Sequence, residues 1–503
     1  MQITVQQIAD CLNTQPVLPP ADAERLLTHI TWDSRQVQPG GVFLAIVGEQ
    51  TDGNDYLSEA LNQGAALLIA SRPVTAELKQ QARTVGAAII EVCDPEWAIG
   101  QIAAFWRQQL PARVIGVTGS SGKTSTKELV AAVLSRRYKT AKNPGNYNNL
   151  LGLPATILSC DVTSEILVLE MGMQCIGEIA RYSEISRPEM AVYTNIGTAH
   201  IELLGSQQAI LEAKSELLAA LPPSGGPVIV NGDDPFTEAL LREGLAAERD
   251  IEVIRYGFAA TNQVYADHIE YDSRGMASFT LHLPDDSCTI RLGIAGEHSI
   301  KNALAAAAIG YRLGVATDDI RQALQTASAV EHRQQRIELA SGATIIDDSY
   351  NANPDSMRAA LVTLAHMDKT RPHIAVLGDM LELGPDEDEL HRGIGSVVAE
   401  TNLSHLLTVG SRARHIAAAA REHGFDGSID RLTEYSEAVE ILSSTIADSA
   451  ANPDGQPIIL VKASHSIALD RIVDALVELD GAESGPADGS GPADMSNKAG
   501  DNR

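Results

Sequence analysis

Lys123 and Thr124 close the run Gly116-Val117-Thr118-Gly119-Ser120-Ser121-Gly122-Lys123-Thr124-Ser125, and these residue types in this order can hold a phosphate. The N–H groups of Gly119, Ser120, Ser121, Gly122 and Ser125, with the start of the following helix, present partial positive charge to an anion. Lys123 can reach terminal phosphates, and the Thr124 hydroxyl can hold Mg²⁺. The chain is therefore expected to consume a nucleoside triphosphate. The generic phosphate loop wants a glycine five residues before Gly122, where Val117 stands, and the glycines fall instead at 116, 119 and 122. The competing reading is a glycine-rich turn with a chance Gly-Lys-Thr. The apolar run Val114 to Val117 before it and the helix-forming Lys127 to Ala132 after it argue against that.

Other residues gather where strands should end. Ile166-Leu167-Val168-Leu169-Glu170 reads as a buried strand with a carboxylate at its C-terminal end, where α/β sheets place ligands. Glu170 is a candidate Mg²⁺ ligand or a helix cap. His200, in Thr194-Asn195-Ile196-Gly197-Thr198-Ala199-His200, can complete a metal site or simply be a satisfied polar group. By pattern alone Lys214 reads as a solvated helix-face lysine. The loop Asn143-Pro144-Gly145-Asn146-Tyr147-Asn148-Asn149 suits substrate binding, and equally an ordinary surface loop. Asn302, in the first turns of a helix beginning near Glu297, can read a base or sugar or pair locally. Three further polar loops follow strands: Asp347 to Pro354, Gly378 to Gly384, and Val461 to Ser466. Their shared position argues for a site facing the middle of the chain.

The elements that must position these groups follow from length and pattern. At 503 residues the chain exceeds one ordinary core, and three domains are expected. Residues 1–110 mix short helices and strands and end in a helix from about Glu96 to Leu110. Residues 111–329 alternate strands with helices, which predicts a parallel sheet covered on both faces. Residues 330–480 repeat that pattern as a Rossmann-like, doubly wound α/β domain. Residues 481–503 carry Ser-Gly-Pro-Ala-Asp twice and are expected to be a disordered tail. The net charge of −28 argues against a nucleic-acid or anionic-membrane surface. Five scattered cysteines without CxxC spacing argue against disulfides or structural zinc. Without a leader-like N-terminus or an apolar stretch of bilayer length, the chain is expected in the cytoplasm, as a monomer.

Together these segments resemble the Mur ligase superfamily, whose loop has the form Gly-x-Thr-Gly-(Ser/Thr)-x-Gly-Lys-(Thr/Ser), as residues 116–124 do. That superfamily includes folylpolyglutamate synthases and cyanophycin synthetase-like enzymes, so the loop alone names no substrate. Asp348 to Pro354, Gly378 to Gly384 and Leu460 to Ser464 look like the member that adds D-alanyl-D-alanine to UDP-N-acetylmuramoyl-tripeptide. The resemblance implies a UDP-sugar-binding first domain with Ser34 and Arg35 near the nucleotide, and Asn146, Asn148 and Asn149 near the muramyl substrate. It implies ATP contacts from Asn302, Arg333 and Asp348 beside the phosphate loop, and substrate contacts from Asn351, Asn353 and Lys462. It also implies Mg²⁺ held by Thr124, Glu170, His200 and a CO₂-carbamylated Lys214, which reverses the solvated reading of that lysine. Lys123, His200 and Lys214 would then serve catalysis.

The chain departs from the family pattern at His332-Arg333, where Gly-Arg is common, at Asn54, where His is common, and at Ala463 and His465, where Gly and Arg are common. The implied chemistry is ATP-driven amide formation through an acyl phosphate, in peptidoglycan precursor synthesis. The alternatives are another amino-acid ligase of the superfamily, a P-loop kinase or GTPase, and a nucleotide-binding scaffold without turnover.

Overall fold

Among the described residues, apolar runs buried on both sides build three larger sheets, each mostly parallel, beside a two-stranded antiparallel sheet of Ile3–Thr4 and Leu26–Leu27. The structure, a computed structural model, describes residues 1–48, 51–244, 251–449 and 455–481. The first sheet has four parallel strands in the order Ile30–Thr31, Val42–Leu44, Leu67–Ala70, Ala88–Glu91. The second has nine. Running from Thr140–Lys142 through Ile166–Glu170, Arg113–Thr118, Met190–Tyr193, Val228–Asn231 and Val253–Gly257 to Val264–Tyr271, its strands are parallel. Met276–Leu283 and Asp286–Ala295 then extend it antiparallel. The third sheet has six strands in the order Gln335–Glu338, Thr344–Asp347, Ile458–Lys462, His373–Gly378, Leu403–Val409, Ser428–Leu432, with only the first antiparallel.

The central sheet is thus parallel over seven strands, as the alternation predicts, and is extended by an antiparallel hairpin that the alternation did not announce. The continuous buried runs Ile166–Glu170 and Val228–Asn231 read clearly as two-sided strands. Met276–Leu283 instead alternates buried and half-exposed positions, as an antiparallel strand with one solvated face does. The helix expected at about Glu96 to Leu110 runs Pro95–Arg107. Asp94 caps it by accepting from the Trp97 N–H, and Pro95 supplies a first-turn φ at no hydrogen-bond loss. The expectation for residues 481–503 falls, beyond Gly481, outside the described residues.

The sheets are not equally independent. One continuous apolar core contains Ile30, Leu44 and Ile69 of the first sheet, Ile99 and Trp106 of the helix Pro95–Arg107, and Leu153, Tyr182 and Leu217 around the central sheet. The third sheet has its own cores on either face, around Leu361 and Leu377 and around Ile345 and Leu442. It meets the central domain largely through loops, including an Asp368 N–H to Ser273 carbonyl bond of 3.0 Å and a Glu202 N–H to Glu382 carbonyl bond of 3.2 Å.

Candidate active site

The phosphate loop joins the strand Arg113–Thr118 to the helix Lys123–Leu134, so its N–H groups open at a helix start. Two glycines are required by space and backbone. A Cβ on Gly119 would lie 1.8 Å from Thr194 Oγ1, and Gly122 has φ +75° with Asn302 Oδ1 2.8 Å from where its Cβ would be. The loop is strapped to the next strand's end. Asn195 accepts from the Ser120 N–H (3.0 Å, carbonyl) and the Ser121 N–H (2.9 Å, Oδ1), and Ser120 Oγ accepts from the Gly197 N–H (2.9 Å). The Ser120 and Ser121 N–H groups are therefore already used, which the reading of every loop N–H as a phosphate donor did not anticipate. Lys123 folds over the loop, donating to the Gly119 carbonyl at 3.0 Å. Burial lowers its pKa, Glu170 opposes that, and Arg333 reinforces it.

Glu170 is buried at 1% exposure, with Oε1 accepting from Asn148 Nδ2 (2.7 Å) and Oε2 without a hydrogen-bond partner. Thr124 Oγ1 is equally buried and unpartnered. Two orphaned hard oxygens beside a phosphate loop fit Mg²⁺, because an unsatisfied buried acceptor is costly unless a donor or cation arrives. Asn143, fully buried, staples the asparagine loop to the end of this strand. Its Oδ1 accepts from the Glu170 N–H at 2.9 Å and its Nδ2 donates to the Tyr147 carbonyl at 2.8 Å. Lys127 is also fully buried; it donates to the carbonyls of Asn143 (2.8 Å) and Gly145 (2.9 Å) and lies 3.8 Å from Glu170 Oε2. Sequence reasoning took Lys127 as a helix former and missed this tie. A lysine four positions after a Gly-Lys-Thr lysine lies on the same helix face, and that spacing was the available signal.

His200 starts a short helix in the left-handed region (φ +64°) and its Nδ1 lies 2.5 Å from Glu382 Oε2 of the third domain. Among the described residues no cluster of three or more His, Cys, Asp or Glu side chains is placed to hold a metal. The Thr124 and Glu170 oxygens are thus the better-fitting part of the expected set. Lys214, in the helix Gln207–Ala220, is 1% exposed, so its reading by pattern as a solvated lysine is overturned. Apolar neighbours at helical spacing, Ile210, Leu211, Leu217 and Leu218, carry that part of the helix inward. Burial holds its pKa well below the ordinary lysine value, and the Lys123 charge adds to the effect.

Across the cleft, Asp348 accepts from Gln334 N–H (3.2 Å) and Nε2 (2.8 Å) and pairs with buried Lys462 at 2.8 Å. Lys462 also donates to the Asn351 carbonyl at 2.8 Å, so its ammonium is committed within the third domain. Asn353 caps the helix Pro354–Ala365 in a reciprocal pair with Ser356, and Asn149 accepts from the Gly152 N–H at the start of Gly152–Ser159. These two amides have structural work in addition to any substrate contact. The Arg333 guanidinium lies 3.9 Å over the Tyr350 ring. Asn302 Oδ1 accepts from the Thr126 hydroxyl (3.1 Å), and its buried Nδ2 has no hydrogen-bond partner. In the first domain Ser34 is buried while Arg35 is exposed and paired with Asp33 at 2.8 Å.

One cavity of about 2310 Å³ is lined by Ser34 and Arg35, by residues 120–125, by Asn146, Asn148 and Asn149, by Glu170, His200 and Asn302, and by Arg333, Asp348, Asn351, Asn353 and Lys462. Gly119 and Lys214 are not on its wall. His298 is, although no sequence signal singled it out beyond its place before Asn302. A site for one drug-sized ligand occupies roughly 300–1,000 Å³. This cavity has room for several substrates at once, and all three sheets contribute to it.

Comparison with known proteins agrees along the whole chain. Residues 26–107 match the model of the Mur ligase family catalytic domain, residues 117–310 the Mur ligase middle domain, and residues 332–465 the Mur ligase glutamate ligase domain. The chain is 36% identical to the UDP-N-acetylmuramoyl-tripeptide--D-alanyl-D-alanine ligase of Escherichia coli (strain K12), over 95% of this chain and 99% of that one. It is also 36% identical to the protein of the same name from Mycobacterium tuberculosis (strain H37Rv), over 95% and 98%. Among solved structures it is similar to MurF from Acinetobacter baumannii, with TM-score 0.83 and 32% identity covering 95% of this chain and 99% of that one. It is similar also to the MurF ligase from Thermotoga maritima in complex with ADP, with TM-score 0.75 and 26% identity covering 90% and 98%.

Proposed function

The chain belongs to the Mur ligase family, and we propose that it joins D-alanyl-D-alanine to UDP-N-acetylmuramoyl-tripeptide at the expense of ATP, releasing ADP and phosphate, in peptidoglycan precursor synthesis. The observation that carries this reading is the large cavity lined from all three domains, with the phosphate loop on its wall. A long UDP-sugar peptide, a dipeptide and a nucleotide must meet in one place, and a cavity lined from several domains can receive all three.

Amide formation in water needs an activated carboxylate. The terminal carboxylate of the tripeptide attacks the γ-phosphorus of ATP, the bond from that phosphorus to the bridging oxygen breaks, and ADP leaves. Lys123 and the free loop N–H groups follow the charge onto the transferring phosphoryl group. The amine of D-alanyl-D-alanine then attacks the acyl carbon, phosphate leaves, and the nitrogen loses a proton. No enzyme nucleophile is required, so catalysis rests on positioning and electrostatics. Asn302, Arg333 and Asp348 are proposed to contact ATP, Ser34 and Arg35 the UDP moiety, and Asn146, Asn148, Asn149 and Asn351 the muramyl substrate or the incoming amine. Asn353 and Lys462 support that wall, through the helix cap and through Asp348.

Thr124 and Glu170 would hold Mg²⁺, and His200, bonded through Nδ1 to Glu382, lines the same cavity. When bound, that ion would neutralise charge on the β- and γ-phosphates. Lys214 is proposed to carry a carbamate, and the support is its burial, which lowers its pKa and so favours the neutral amine that adds CO₂. Among the described residues no helix is long and apolar enough to cross a membrane. Dependence on ATP supports a cytoplasmic location, and a cavity completed by one chain supports action as a monomer without nucleic acid or membrane insertion.

The deciding measurement is phosphate release with UDP-N-acetylmuramoyl-tripeptide, with and without D-alanyl-D-alanine. Release that requires both substrates supports the reading. Release without any amine substrate would point to a nucleotide hydrolase, and release only with another amino acid to a different ligase of the family.

A further inference from the structure

The turn between the helix Thr317–Gln325 and the strand Gln335–Glu338 contains two non-glycine residues in the left-handed region, His332 at φ +58° and Gln334 at φ +55°. L side chains rarely adopt that conformation, so each position must be held by something outside the turn. Arg333 lies between them. The holders are consecutive carboxylates at the end of the strand Thr344–Asp347. His332 Nδ1 lies 2.7 Å from Oδ2 of buried Asp347, and Gln334 bonds Asp348 through both its backbone N–H and its side-chain amide. Asp347 is itself fixed, its Oδ1 accepting from the N–H (3.1 Å) and Oγ (2.6 Å) of Ser349. The His332 carbonyl accepts from the Tyr350 N–H at 3.1 Å, which brings the Tyr350 ring under the Arg333 guanidinium.

We infer that His332 is a positioning residue for Arg333: by tying the turn to Asp347 it sets the backbone from which the guanidinium passes over Tyr350 toward the phosphate loop. The inference rests on the reading that ATP occupies that loop. Three features make the assignment specific. His332 has no cavity-facing role of its own, since it is absent from the cavity wall while Arg333, Gln334 and Tyr350 are on it. Its ring bond is to a buried carboxylate, where a charge-assisted hydrogen bond is stronger than at the surface. Arg333 lines the same cavity as residues 120–125, so a displaced turn would move its charge relative to the phosphate loop.

The test separates tie from strain and from general stability. His332→Ala keeps a side chain at a left-handed position and loses the tie, whereas His332→Gly loses the tie but adopts the backbone freely. Affinity for a non-hydrolysable ATP analogue is read by calorimetry, which needs no turnover, together with the KM for ATP and for the dipeptide. His332→Ala is expected to weaken analogue binding and raise the KM for ATP about tenfold, the loss of one charge-assisted bond, with the dipeptide KM unchanged and His332→Gly intermediate. In an Arg333→Ala background the same His332→Ala change should have no further effect on analogue binding. If His332→Ala does not fold, Asp347→Asn weakens the same tie and is read the same way. Additive losses in the double variant, or wild-type analogue affinity in His332→Ala, would overturn the inference. A wild-type protein that binds the analogue but shows no amine-dependent phosphate release would instead overturn the ligase reading and leave this test intact.

Discussion

The roles proposed for two lysines, Lys123 and Lys214, each make a measurable claim. Lys123 donates to the loop carbonyls of Gly119 and Ser120. Lys123→Ala should lower turnover by about a hundredfold or more, as loss of a transition-state charge partner does, while the thermal midpoint stays near wild type. Near-normal steady-state turnover would contradict the phosphate-loop assignment. Lys214 makes a claim about pH. Its depressed pKa means that the neutral amine, the form that adds CO₂, gains population as pH rises through that lowered value and is lost as pH falls below it. Activity should therefore fall in CO₂-depleted, mildly acid buffer and return with bicarbonate, and Lys214→Ala should abolish both the activity and the bicarbonate response. Lys123, Thr124 and Glu170 were legible because a short motif and an apolar strand end announce them. Asn143 was not, since its role comes from tertiary burial that no local pattern states, and for Lys127 the spacing from Lys123 gave the helix face but not the carbonyls it ties.

At the scale of elements, the caps carry much of the positioning. Asn353 terminates the polar Asp347–Asn353 loop and begins Pro354–Ala365 with a reciprocal cap. Asn353→Ala should cost about 1 kcal/mol, read as a lower urea midpoint for the third domain, with smaller consequences for the KM of any substrate than Lys123→Ala has for turnover. Strands buried on both faces, such as Ile166–Glu170 and Ile458–Lys462, were legible as unbroken apolar runs. The hairpin Met276–Leu283 with Asp286–Ala295 was not, because half its side chains face solvent and its apolar period of two is diluted by His282, Asp286 and Ser287. Thr140–Lys142 is a three-residue polar edge strand, specified by its neighbour and not by its own sequence.

For the molecule as a whole, the cavity spanning three sheets predicts a strict order of substrate preference. D-alanyl-D-alanine should exceed single D-alanine, L-glutamate or a diamino acid by at least about tenfold in kcat/KM, because a shorter amine leaves buried dipeptide partners unpaired at roughly 1–3 kcal/mol each. A phosphate-release panel at matched concentrations reads this directly. Amine specificity was legible only through the resemblance carried by the motifs at 348–354, 378–384 and 460–464, since the chemistry of those side chains does not by itself state which amine is accepted. The apolar core running unbroken from Ile30 through the helix Pro95–Arg107 to Leu217 has a different kind of consequence. A chain drawn as three domains should melt as two cooperative units, the first and second sheets together and the third alone, because no solvated seam divides the former pair. Differential scanning calorimetry should resolve two endotherms. Destabilising lesions placed in that helix, such as Trp106→Ala, should shift only the one that includes the phosphate loop, so damage far from the nucleotide would register as heat lability of its binding site.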